Sequence, residues 1–184
     1  MRNTYSAANI CGVEIMEEPR LPLKYFPFAV DLKGQKVLVV GGGKVAERKV
    51  LSLLQAEACV QVVSPQITEG LMDLVVKFKI KWKQKEVDRN DMKNIRLTIA
   101  ATNNKIINEK VSMWAKDENV WVNVVDKPAL SDFISPAVFF AGEGIVAVYS
   151  DGKDPVLSRD LKNFIKEKWN EFLSYRDGSQ DSIL

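Results

Sequence analysis

The run Lys36-Val37-Leu38-Val39-Val40 leads directly into Gly41-Gly42-Gly43-Lys44-Val45-Ala46, which fits G-x-G-x-x-A. After it, Ala46, Val50, Leu53 and Leu54 recur at helical spacing. The chemistry this arrangement serves is anion binding. Gly41 permits a tight turn, Gly43 lets backbone approach a pyrophosphate, and Ala46 lets the helix pack closely on the strand. The N–H groups of Lys44 and Val45 fall at the positive end of the helix dipole, where a phosphate is favoured. A turn that merely packs a helix against a sheet would use the same residues. The strand-loop-helix context favours a dinucleotide.

The second strand closes with Ser64-Pro65-Gln66, where a dinucleotide fold ordinarily places Asp or Glu for the adenosine ribose. Binding through Ser64 or backbone groups of this segment is expected instead, and NAD against NADP stays open. Two further strand ends carry polar residues, Thr102-Asn103-Asn104 and Asn123-Val124-Val125-Asp126. Thr102 and Asn103 are candidates for cofactor contact, with turn formation and capping the equal alternative. Asp126 stands at the cleft mouth. The chain contains no histidine, which removes Ser-His and Cys-His catalysis and imidazole metal sites. Acid-base work falls to other groups, and Asp126 is the best candidate base, although Asp before Lys-Pro also forms turns well.

The elements that must position these groups follow from periodicity. Strands are expected at Lys36–Val40, Val60–Val63, Ile80–Lys83, Leu97–Ala101 and Val120–Val125. Helices are expected after the glycines, near Ile67–Val76, and after Asn104 with the stripe Ile107, Val111, Trp114 and Ala115. This alternation predicts an α/β fold, a Rossmann-like parallel sheet with helices on both faces. Phe133–Phe139 and Ile145–Tyr149 read as two more strands. A last helix from Pro155 carries Leu157, Leu161, Phe164, Ile165, Phe172 and Leu173 on one side. At the end of the first helix, Glu57 occupies a left-handed position usually given to glycine.

Composition narrows the function classes. The 184 residues are 46% apolar and 27% charged, a soluble globular balance. Charges of 26 basic against 24 acidic residues leave +2, which gives no electrostatic case for nucleic acid. Cys11 and Cys59 are far apart with no CxxC, so neither a disulfide framework nor a zinc site is expected. No apolar run approaches the roughly 18 residues of a membrane span. Glu14, Glu17 and Glu18 interrupt any signal-peptide core, so a cytoplasmic protein without membrane partners is expected.

The strings YFP, DLKG, VLVVGGGKVAERKV, IAATNN, NVVDKP, DFISPA and SDGKDPVLSR, in this order from Tyr25 to Arg159, resemble the precorrin-2 dehydrogenase/ferrochelatase part of siroheme synthase. The resemblance implies NAD-dependent oxidation of precorrin-2 to sirohydrochlorin, with ferrous iron insertion in some members. Both activities would rest on the aspartate of NVVD, here Asp126. It also implies a homodimer that exchanges strands through about Ser131 to Ser150. The expected organisation is an irregular extension over 1–24, an NAD-binding domain over 25–130, dimerisation strands over 131–152 and a shortened helical segment over 153–184. The carboxylate-rich substrate calls for a cationic rim, for which Lys127, Lys153, Arg159 and Lys162 are candidates beside a plain role as solvated charges. Asp151 replaces a frequent glycine of the family, and Asn103-Asn104 a commonly acidic pair. The readings set against a dehydrogenase are a nucleotide-sensing module and a tetrapyrrole binder without turnover.

Overall fold

The computed structural model of the protein describes residues 24–142 and 144–180. Apart from Lys24, the extension expected over 1–24 lies outside them, as do Cys11 and residues 181–184.

Five strands form one parallel sheet: β1 (Lys36–Val40), β2 (Cys59–Val63), β3 (Lys81–Lys83), β4 (Leu97–Ala100) and β5 (Trp121–Val124), in the order β3-β2-β1-β4-β5. Between them run α1 (Lys44–Gln55), α2 (Glu69–Val76) and α3 (Lys105–Asp117). The sheet folds because its strands are apolar on both faces. Val37 and Val39 join Ala46, Val50 and Leu53 of α1 and Leu71 of α2 in one cluster. Leu38 and Val40 join Val111 and Ala115 of α3 in the other. Each fully buried valine or leucine contributes about 1.5–3 kcal/mol, so successive residues of β1 fasten helices to opposite faces.

Caps mark the helix starts. Thr68 accepts from the Leu71 N–H, which moves the start of α2 from Ile67 to Glu69. The Asn104 carboxamide accepts from the N–H groups of Ile106 and Ile107, as the sequence predicts. Glu57 does adopt a left-handed conformation, with φ 55°.

The strand expected over Phe133–Phe139 begins later. β6 (Ala137–Ala141) pairs antiparallel with β7 (Gly144–Val148) as a separate two-stranded sheet. Residues 131–133 instead close the open edge of β5. The Asp132 N–H donates to the Val122 carbonyl, its carboxylate accepts from the Val122 N–H, and Asn123 donates its side-chain amide to the Phe133 carbonyl. Phe133 packs on the α1 side of the core.

The long terminal helix divides into α4 (Pro155–Glu167) and α5 (Trp169–Gln180). At the break, Trp169 turns edge-on to Phe139 of β6, with ring centroids 5.7 Å apart. Much of the apolar stripe of this segment lies open in the single chain: Leu157, Leu161, Phe164 and Phe172 are all exposed.

Candidate active site

Reversal of strand order between β1 and β4 opens a crevice beyond their carboxyl ends, the usual ligand position in such sheets. The cleft there has a volume of about 510 Å³. Its lining includes Gly41, Gly42, Gly43, Ser64, Pro65, Gln66, Thr102 and Asn103. Eight positions selected from three separate stretches of sequence therefore meet in one place.

The three glycines have different tasks. Gly41 has φ 115°, and a Cβ there would come 2.5 Å from the Ala101 carbonyl oxygen at the end of β4. At Gly42 a side chain would strike the Gln66 carbonyl, where the backbones cross and the Thr68 N–H donates to Gly42. Gly43 is different: a Cβ there would meet nothing within 4 Å. Its exposed surface faces open space and leaves room for a ligand against the backbone. Of α1 to α4, α1 alone begins without a side-chain cap; Thr68, Asn104 and Asp154 cap the others. The first N–H groups of α1, those of Lys44 and Val45 among them, are thus offered outward, as a pyrophosphate requires. Lys44 itself is exposed and paired to Glu47 at 3.1 Å. Glu47 in turn accepts from the Thr68 hydroxyl at 2.6 Å, and that bond, followed by Lys44, holds its carboxyl below the usual range.

Opposite the glycines, the Thr102 hydroxyl lies 2.7 Å from the Asn108 carboxamide oxygen and 3.1 Å from the Asn104 N–H. The turn role of Thr102 is realised in full, and Asn103 beside it is exposed to the cleft. Ser64 is nearly buried; its N–H donates to Lys83 and its carbonyl accepts from the Trp82 indole.

Asp126 does not line this cleft. It stands two residues past the end of β5, as Thr102 stands two past β4, and Ala100 of β4 pairs with Val124 of β5. The carboxylate is exposed and has no hydrogen bond or ion pair among the described residues. Its loop is well held: the Lys127 N–H donates to Val124, and Ser131 Oγ accepts from the Val124 N–H at 2.8 Å. Of the rim candidates, Lys127 pairs with Glu109, Lys153 with Asp151 and Arg159 with Asp160.

Sequence reasoning passed over Thr68, Glu86 and Val87 of the cleft wall, and read Ile67, Asn104 and Ile107 as helix start, cap and stripe. Thr68 carried a signal, since a threonine just before Glu69 and three residues before Leu71 caps a helix start well. Glu86 and Val87 carried none, because adjacency between the chain beyond β3 and the end of β2 exists only in the folded sheet.

Sheet order, glycine loop and uncapped helix together define a dinucleotide-binding domain of Rossmann type. The family described as putative NAD(P)-binding matches residues 28–137. The solved structure of SirC, a precorrin-2 dehydrogenase, superposes with a TM-score of 0.70 at 30% identity, covering 85% of this chain and 76% of SirC. The chain belongs to the precorrin-2 dehydrogenase family. Among curated relatives, siroheme synthase 1 of Klebsiella pneumoniae is 39% identical over 144 residues, which are 78% of this chain and 31% of that protein. Siroheme synthase of Nitrosococcus oceani is 42% identical over 140 residues, 76% of this chain and 30% of that protein. The chain thus spans about a third of the length of these relatives.

Proposed function

We propose that the protein oxidises precorrin-2 to sirohydrochlorin with NAD as the oxidant. The observation that carries this reading is the open backbone at Gly43 beside an uncapped helix start, in a chain that matches SirC over most of its length. Residues Gly41 to Val45 would hold the pyrophosphate, Ser64 to Gln66 the adenosine end, and Thr102 with Asn103 the part nearer the reacting centre. Bound there, NAD supplies the acceptor for a hydride from a C–H bond of the macrocycle.

Asp126 then takes the proton that leaves with the second bond, so that two electrons and one hydrogen go to the nucleotide and one proton to the carboxylate. Being exposed, Asp126 returns that proton to water. In this reading ferrous iron is a second substrate, with the same carboxylate relieving pyrrole nitrogens of their protons.

A homodimer fits the open apolar faces of the hairpin and α4, where Phe140, Ile145, Leu157 and Phe164 are more than half exposed. A cytoplasmic setting fits a chain with no helix, among the described residues, long and apolar enough to cross a membrane. The test is anaerobic incubation with precorrin-2 and NAD⁺, following NADH absorbance. NADH formed in step with sirohydrochlorin supports the assignment; tetrapyrrole binding without NADH overturns it in favour of a binding module.

A further inference from the structure

Glu86 follows β3, yet its segment is laced to the end of β2. The Ser64 N–H donates to the Lys83 carbonyl at 3.3 Å, the Trp82 indole to the Ser64 carbonyl at 2.9 Å, and the Gln84 carboxamide to the Pro65 carbonyl at 3.3 Å. These bonds bring Glu86 into the wall of the cleft beside Ser64, Pro65 and Gln66. Among the described residues, it is the only charged side chain lining that cleft.

The nearby cations are engaged elsewhere. Lys83 pairs with Asp91 at 3.0 Å, and Lys85 with Asp91 at 2.7 Å and with Asp88. The wall near the end of β2 is thus polar with a single negative charge.

We infer that Glu86 sets the preference for NAD over NADP, taking from the third strand the position that the missing second-strand acid would fill. This rests on the dinucleotide reading above and adds the residue that selects the nucleotide. A carboxylate in that wall accepts hydrogen bonds from the adenosine ribose hydroxyls. A phosphate on the 2′ oxygen would lose those bonds and meet a like charge, so selection comes from repulsion as well as attraction.

The experiment is calorimetric titration of the full chain with NAD⁺ and NADP⁺, for wild type, Glu86→Gln and Glu86→Arg, with circular dichroism to confirm that each variant is folded. Glu86 is exposed, so both substitutions should fold. Wild type is expected to bind NAD⁺ at least about tenfold more tightly than NADP⁺. Glu86→Gln narrows that ratio several-fold, and Glu86→Arg brings it to unity or inverts it. NAD⁺ binding with an unchanged ratio in both variants overturns the role of Glu86 and leaves the dinucleotide site standing. Failure of wild type to bind either nucleotide overturns both.

Discussion

The Tyr25 hydroxyl donates to the Pro128 carbonyl at 2.9 Å across 103 residues of sequence, fastening the start of the described chain to the loop that carries Asp126. Tyr25 is itself held in place. Its N–H and that of Lys24 each donate to the Asp151 carboxylate at 3.0 Å. Asp151 sits at φ 54°, where glycine would be less strained. The two backbone N–H donors, with Lys153, hold its carboxyl below the ordinary range.

Tyr25→Phe removes one hydrogen bond and leaves the ring. Stability should fall by about 1 kcal/mol. If the bond positions the loop of Asp126, turnover should drop several-fold while NAD⁺ affinity is unchanged. A purely structural bond would lower the melting temperature without moving turnover of the protein that remains folded.

Much of this was legible in the chain. The unbroken apolar run Val37 to Val40, the glycine loop and the Asn104 cap are local signals, and each sits where short-range chemistry places it. What was not legible depends on distant partners. Phe133 and Asp132 carry strand-like residue types, but an open sheet edge and its neighbouring core claim them first. The division at Lys168 has no glycine or proline to announce it and coincides with Trp169 meeting Phe139. Glu86 belongs to the site through pairing of β2 with β3, which no spacing in the sequence expresses.

The glycines yield a paired prediction. Gly43 has φ −84° and free space around its missing side chain. Gly43→Ala should therefore fold, with stability lower by about 1 kcal/mol at most as a poorer helix start, yet lose NAD⁺ affinity by about tenfold or more. Gly41→Ala meets both left-handed strain and the Ala101 carbonyl, so it should lose about 2 kcal/mol or more of stability. Chemical denaturation and nucleotide titration of the two variants separate fold from binding.

Acid sensitivity should trace to Asp91, buried in the turn after β3. Burial pushes its carboxyl up, but hydrogen bonds from Lys85, the Asp88 N–H and Lys83 together outweigh that and leave it below the ordinary value. A carboxylate lowered in the folded state adds stability that is complete above its unfolded pKa and is lost as pH falls through the folded value. Asp91→Asn should cost about 2 kcal/mol at neutral pH and flatten the decline in melting temperature below about pH 4. A variant with an unchanged acid limb would assign that decline to other groups.

The most direct measurement compares wild type with Asp126→Asn in anaerobic precorrin-2 oxidation, alongside NAD⁺ titration of both. The account predicts turnover reduced by about a hundredfold or more with NAD⁺ affinity within about twofold. Equal rates in the two proteins would contradict it.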